Sequence, residues 1–77
     1  MDFRLELSKA KILRSLTSDS LERGYLEGRM RGLRRRHHGE NFRTEAEHAV
    51  WISMADDADP DRAARGRGYK NTLAEEV

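Results

Sequence analysis

The sequence predicts an all-α protein, a small bundle of about four short helices in one domain over residues 1–77. Three observations lead to this fold class. Apolar side chains recur at the spacing of a helical turn, as in Leu26, Met30 and Leu33. Several segments begin with the polar residues that cap helix N-termini. No second strand is available for β-pairing, because only one short segment alternates between apolar and polar residues.

The first helix is predicted from about residue 4 to residue 16, although its first residues are ambiguous. Phe3, Leu5 and Leu7 alternate with polar residues, whereas Ile12 and Leu16 have helical spacing. A helix is favoured because a lone strand has no partner. A short edge strand over residues 3–8 remains open at this point.

The second helix is predicted to run from Ser20 to about His37. Asp19 and Glu22 form a pattern resembling a capping box at its start, and Gly39 is the expected stop after its end. The stripe of Leu26, Met30 and Leu33 gives this helix an apolar face, and arginines occupy much of the rest of its surface.

Two further helices are predicted in the second half of the chain. Thr44 and Glu47 form a capping box ahead of a third helix over about 45–56, and the apolar residues on both its sides predict that it is central and most buried. Asp59 and Pro60 begin a fourth helix over 60–74. Glycines at 66 and 68 weaken this helix, so we expect it to be the least stable or the most dependent on a partner.

Glycines at positions 24, 28 and 32 stand one turn apart inside the second helix. Each costs the helix about 1 kcal/mol relative to alanine. Glycines at this spacing form a shallow groove that admits a second helix closely, with Leu21 and Tyr25 as its walls. The expected occupant is the helix carrying Ala46, Ala49 and Ser53, or the same helix of a second copy in a homodimer. A functional alternative is that a nucleic-acid backbone approaches the glycines.

The charge is distributed unevenly along the chain. The formal net charge is only +1, yet residues 1–44 carry 11 Lys/Arg against 6 Asp/Glu, and residues 45–77 carry 4 against 8. The cations concentrate in "RMRGLRRRHH" at 29–38, and arginine forms forked hydrogen bonds with phosphates and carboxylates. Nucleic acid, an acidic protein surface and a merely solvated helix face are the three interpretations. The predicted contact residues are Arg29, Arg31, Arg34, Arg35, Arg36, His37, His38 and Arg43.

The stretch "DDADPD" at 56–61 resembles the start of a calcium-binding EF-hand loop. With Asp57, Asp59 and Asp61 at its first, third and fifth positions, that loop needs glycine at its sixth and glutamate at its twelfth, where this chain has Arg62 and Gly68. Helix capping accounts for Asp59 and Asp61 and leaves two aspartates in surplus. The predicted acidic contact patch therefore consists of Asp56, Asp57, Asp59 and Asp61.

Catalytic, metal and membrane functions have little support in the sequence. Cysteine is absent, and adjacent histidines on a helix diverge by about 100°, so His37 and His38 cannot easily share an ion. A bundle of this size is not expected to hold a pocket of about 300 Å³. We expect no enzyme activity, no cofactor, no metal and no small-molecule substrate. Without a long apolar run, a cytoplasmic protein that does not enter membranes is expected.

Two resemblances bear on function. "LERGYLEGRMRG" (21–32) and "AVWISMADD" (49–57) are similar to the ribosome modulation factor family, whose R-G-Y-x-x-G helix precedes a tryptophan-bearing helix that ends near M-A-D. This resemblance implies ribosome binding, although the family's Cys-Pro-Tyr turn is missing. In size and charge, the chain also resembles small phage accessory proteins such as anti-CRISPR inhibitors. The positions that match the ribosome modulation factor family are Arg23, Gly24, Tyr25, Gly28, Trp51, Met54, Ala55 and Asp56.

Three hypotheses about function follow from the sequence. The first is a non-enzymatic phage or mobile-element accessory protein that docks on a host protein or nucleoprotein complex and inhibits or modulates it. The second is direct RNA, DNA or ribosome binding through the arginine-rich helix. The third is a structural module in which both charged patches serve self-assembly.

Overall fold

Four α-helices form most of residues 2–75, which are the residues that the computed structural model describes. They are α1 (Phe3–Leu16), α2 (Ser20–His38), α3 (Glu45–Ser53) and α4 (Pro60–Ala74), with short 3-10 helices at Gly39–Asn41 and Met54–Asp56. The predicted all-α bundle is confirmed. Residues 3–8 are helical, so the edge-strand alternative is wrong.

Polar side chains cap the helix N-termini as the sequence predicts. The Asp19 carboxylate accepts from the Leu21 N–H at 2.9 Å, the Thr44 hydroxyl accepts from the Glu47 N–H at 3.2 Å, and the Asp59 carboxylate accepts from the Asp61 N–H at 3.0 Å. Each cap satisfies a backbone donor that the helix itself leaves free. Gly39 ends α2 with a φ of 62°, which glycine adopts without a steric penalty.

The centre of the fold is a close parallel contact between α2 and α4. Gly24 faces the first turns of α4, Gly28 faces Arg65 and Tyr69, and Gly32 faces Thr72. A methyl group at Gly28 would overlap the carbonyl oxygen of Arg65 and lie 2.8 Å from the backbone nitrogen of Tyr69. The missing side chains therefore let the two helix backbones meet directly.

The occupant of the glycine groove differs from the expected one. It is α4, and neither α3 with Ala46, Ala49 and Ser53 nor a second copy is needed to fill it. The reason is that α4 contributes a glycine of its own. A methyl group at Gly68 would overlap the carbonyl oxygen of Tyr25, so each helix provides a recess for the other's backbone.

The expected burial of α3 is also wrong. No residue of α3 is buried, whereas α4 buries Ala63, Ala64 and Tyr69 together with its two glycines and Thr72. The apolar pattern of α3 misleads because the helix lies at the edge of the bundle, with Val50 half exposed. The glycines of α4 allow close approach to α2 and to the 3-10 helix Met54–Asp56, so α4 occupies the centre.

The helix α1 lies against α2 at the periphery. Ala10 on α1 is buried and joins a small core in which Leu33 is 1% exposed. An open apolar groove of about 360 Å³ lies between the end of α1 and the start of α2, so the expectation of no pocket of this size is wrong. Along residues 2–75, every helix is too short or too polar to cross a membrane.

Candidate nucleic-acid interface

Four aromatic rings cluster where α2 ends. Phe3 stacks on His37 with ring centroids 4.1 Å apart and planes within 8° of parallel. The His38 ring packs edge-on against His37 at 4.8 Å and lies 6.3 Å from Phe42. Both histidines are exposed, and both phenylalanines are partly exposed. We call this set of Phe3, His37, His38 and Phe42 the ring cluster.

The chain reaches this arrangement through two local features. Because α1 runs antiparallel to α2, its first residue, Phe3, lies beside the last turn of α2. After Gly39, a 3-10 turn folds the chain back and brings Phe42 to His38. Arg43 then has a φ of 68°, a left-handed conformation that costs a residue with a side chain about 1–2 kcal/mol. Such unfavourable backbone conformations concentrate at functional sites.

Two arginines lie over the Phe42 end of the ring cluster. The Arg43 guanidinium lies 5.4 Å from the centre of the Phe42 ring, and that of Arg31 lies 5.9 Å from the same ring. Arg31 also lies 4.4 Å from the Trp51 ring. Burial and the nearby charge of Arg43 lower the pKa of Arg31, which remains a cation at neutral pH. Arg34 lies one turn before the two histidines on α2, and no ion pair engages it within residues 2–75.

We expected the arginines of α2 to form one continuous contact surface, but they do not. Arg29 donates to the carboxylates of Glu6, at 3.2 Å, and of Glu75. Arg36 donates to the Thr72 carbonyl oxygen at 3.0 Å. These two arginines therefore connect α1, α2 and the end of α4, and they serve the fold.

A second group of arginines faces α3. Arg35 donates to the Glu45 carboxylate at 2.8 Å, a hydrogen bond that raises the pKa of Arg35 and lowers the pKa of Glu45. Arg31 and Arg43 lie 3.8 and 3.9 Å from Glu47. The sequence did not show this division, because the acidic partners lie on other helices, far along the chain from most of the arginines.

Two aspartates of the acidic patch, Asp57 and Asp59, are engaged by hydrogen bonds within the chain. The Asp57 carboxylate accepts from the Asp59 N–H at 2.8 Å and from the Arg62 guanidinium at 2.9 Å, and both hydrogen bonds lower the pKa of Asp57. The cap of α4 is Asp59, so Asp57 is surplus to capping as expected, but its carboxylate is already engaged by Arg62 and by the turn before the helix. Asp56 lies exposed in the 3-10 helix that precedes this turn.

The remaining predicted site residues lie away from the ring cluster. Gly24, Gly28 and Gly32 are buried against α4, and Tyr25 is 36% exposed with its hydroxyl accepting from the Asn71 amide at 3.3 Å. Leu21 is 44% exposed at the start of α2. The three glycines pack against α4, whereas Tyr25 lines the groove between α1 and α2 and Leu21 lies one turn before it.

His48 is half-buried and shares a hydrogen bond of 2.6 Å with the hydroxyl of Tyr69. Tyr69 is almost fully buried, and this burial raises its pKa. Trp51 packs on the same tyrosine, with ring centroids 5.8 Å apart. Across the described part of the chain, no three histidine or acidic side chains come together in a way that could hold a metal ion.

Phe3 joins the ring cluster from a distant part of the chain, which the sequence did not indicate. Its neighbour, His37, is 34 positions further along the chain. The only signal available was the length of α1 and α2, which in an antiparallel pair places the first residue of one helix beside the last turn of the other.

Comparison with protein-family models, with curated proteins and with solved structures finds no match. The residues of the site themselves therefore carry the functional argument.

Proposed function

We propose that this protein is a non-enzymatic accessory protein of the phage or mobile-element type, which docks on a host nucleoprotein complex and inhibits or modulates it. The observation that supports this function best is the ring cluster bordered by arginines at the end of α2. In this proposal, the ring cluster contacts the nucleic acid of the complex, and the neighbouring protein surface blocks a site that the complex needs.

Stacking rings combined with cations are the means by which proteins bind single-stranded nucleic acid without reading its sequence. His37 and His38 expose their rings, and Phe42 supplies a third next to the guanidinium of Arg43. A base stacked on an aromatic side chain contributes about 1–3 kcal/mol to binding. Arg34 and Arg43 add attraction for phosphates, which salt weakens.

A nucleoprotein complex fits this surface better than free nucleic acid does. Few cations near the ring cluster are free of acidic partners, since Arg35 pairs with Glu45 and Arg43 lies 3.9 Å from Glu47. Such a surface gives weak binding to nucleic acid alone, so protein contacts have to add affinity. The resemblance to ribosome modulation factor makes the ribosome one candidate complex, and the resemblance to anti-CRISPR inhibitors suggests a CRISPR effector. Both targets place the protein in the cytoplasm, and a homodimer suits occlusion.

The second candidate function is direct binding of RNA or DNA, or of the ribosome through its RNA, by the same arginine-rich helix end. Exposed histidine rings beside Arg34 favour it. It predicts binding of purified nucleic acid that weakens steeply as salt increases. A purely structural module, the third hypothesis, predicts instead that Arg34→Glu with Arg35→Glu dissociates an oligomer.

The test is recovery of host complexes from a lysate on the immobilised protein at physiological salt. We expect a complex that contains both protein and nucleic acid. Phe42→Ala with His37→Ala should reduce its recovery about tenfold or more, because two stacking surfaces are lost. Nuclease treatment of the lysate should reduce recovery in the same way.

A matched control removes the same charge elsewhere. Arg67 and Lys70 are exposed on α4, so Arg67→Ala with Lys70→Ala should leave recovery unchanged, whereas Arg34→Ala with Arg43→Ala should lower it. Recovery of no complex at all, or equal recovery with both pairs of variants, would overturn the proposal. Strong binding of purified RNA without any host protein would favour the second candidate.

A further inference from the structure

The outward face of α1 has apolar side chains that the rest of residues 2–75 leaves exposed. Leu5 is 51% exposed, Ile12 57% and Leu16 76%, and they share one face of the helix at positions i, i+7 and i+11. Ala10, on the opposite face, is 2% exposed and packs into the core. The helix is therefore apolar on two sides, and only one of them is covered within residues 2–75.

The exposed face continues into the groove between α1 and α2. Leu13, Leu16, Tyr25 and Leu26 line that groove, which has a volume of about 360 Å³. Leu21 lies one turn before Tyr25 on α2 and is itself 44% exposed. A contiguous exposed apolar surface of this kind marks an interaction site on a small protein. We call this surface, formed by Leu5, Ile12, Leu13, Leu16, Leu21, Tyr25 and Leu26, the α1 face.

We infer that the α1 face binds a second copy of this chain, with the two α1 helices antiparallel across a two-fold axis near Ile12. In that arrangement, Leu5 of each copy lies near the C-terminal end of the other α1, beside the groove of the other copy. Two-fold symmetry is the commonest way in which identical chains associate, and it buries the same surface on both copies.

The charges around the α1 face are complementary in this arrangement. Arg4 and Lys11 are exposed on α1, and no ion pair engages either of them within the described residues. Asp19 and Glu22 are exposed just beyond the other end of α1. With Ile12 at the axis, the start of α1 with Arg4 in one copy lies near the turn between α1 and α2 of the other, where Asp19 and Glu22 stand. A parallel arrangement would instead place Arg4 of the two copies side by side.

This surface replaces the glycine groove as the basis for a homodimer. The groove at Gly28 is filled by α4 of the same chain, so it offers nothing to a second copy. The core of one copy is small, with Leu33 and Thr72 as its largest fully buried side chains. Chains of this length have marginal stability alone, and oligomerisation is a usual remedy.

The α1 face is separate from the ring cluster. Phe3 stacks on His37 of the same chain, on the side of α1 that faces α2. A dimer through the α1 face therefore leaves both ring clusters exposed, and either proposal can fail without the other.

The test is the molecular mass in solution, measured by sedimentation equilibrium over a range of protein concentrations. The chain has a mass of 8.9 kDa, and we expect a species of twice that mass. Ile12→Glu should weaken dimerisation at least about a hundredfold, because it places two like charges at the axis. Val50→Glu is the matched control, since Val50 is 50% exposed on α3, and it should leave the dimer unchanged. Circular dichroism of both variants verifies that they are folded.

A charge exchange tests the orientation. Arg4→Glu alone should weaken the dimer, and Arg4→Glu combined with Glu22→Arg should restore it, because the pairing between copies is then reversed in sign. The inference is overturned if the wild-type chain stays monomeric at the highest concentration. This holds even if the α1 face then binds another protein or a lipid surface. An unchanged dimer in Ile12→Glu would overturn it as well.

Discussion

The three glycines of α2 should respond differently to substitution by alanine, and Gly28→Ala is the sharpest case. A methyl group at Gly28 overlaps the carbonyl oxygen of Arg65 and approaches the backbone nitrogen of Tyr69 to 2.8 Å. Both neighbours are backbone atoms of a helix, so no side chain can rotate away. Only separation of α2 from α4 relieves the overlap.

The magnitude follows from two opposing effects. Overpacking a well-packed site costs about 3 kcal/mol at the upper end of the usual range, and a backbone clash belongs there. Alanine recovers about 1 kcal/mol of intrinsic helix propensity. Gly28→Ala should therefore lower the free energy of unfolding by about 2 kcal/mol.

The control lies in the same stripe. At Gly24, a methyl group would lie 3.3 Å from the Asp61 carbonyl oxygen and 3.4 Å from the Arg65 side chain. Slight adjustment accommodates it, so Gly24→Ala should leave stability unchanged or raise it by up to about 1 kcal/mol. Gly32→Ala, with Thr72 Cβ at 2.9 Å, should lie between the two.

The assay is urea unfolding followed by far-UV circular dichroism, at one protein concentration for all variants. The expected order of stability is Gly24→Ala, then Gly32→Ala, then Gly28→Ala. If Gly28→Ala is as stable as the wild type, or if all three variants are destabilised equally, the close contact of α2 and α4 is not the centre of the fold.

Three further predictions concern the core, the loop and pH. Burial raises the pKa of Tyr69 above its ordinary 10.0, so the neutral phenol stabilises the fold. This stabilisation is fully present below pH 10 and is lost as pH rises through the raised pKa. The wild type should therefore lose more stability than Tyr69→Phe when unfolding is measured at alkaline pH. Equal pH dependence of the two proteins would contradict this. Arg43→Val should cost about 1–2 kcal/mol of stability, because a β-branched residue fits a φ of 68° poorly. Arg43→Asn should be tolerated, since asparagine adopts this conformation more readily. Equal thermal stability of the two variants would refute the loop conformation. Leu33→Ala should cost about 2–5 kcal/mol in urea unfolding, whereas Val50→Ala, at a 50% exposed site on α3, should cost far less; equal costs would contradict the burial of Leu33.

The sequence was sufficient for the helices but not for their arrangement. Asp19, Thr44 and Asp59 marked the helix starts correctly, because caps are local and depend on residues within one turn. The central position of α4 was missed, because Gly66 and Gly68 were interpreted as weaknesses of an isolated helix. In the fold they are contact positions, and only the arrangement of neighbouring helices shows this.

The candidate site followed the same pattern. The run of arginines at the end of α2 was visible in the sequence, yet Arg29 and Arg36 are occupied by Glu75 and Thr72 at the other end of the chain. The pairing of such distant residues depends on tertiary structure, which one sequence does not reveal. Phe3 joined the site for the same reason.

The most direct test of the functional account is ultraviolet crosslinking of the protein bound to a complex recovered from host lysate. Mass spectrometry of the digested protein then locates nucleotide adducts. We predict adducts on His37, His38 or Phe42, and their loss when the lysate is first treated with nuclease. Adducts confined to Tyr25 or Trp51, or a bound complex that gives no adduct at all, would contradict it.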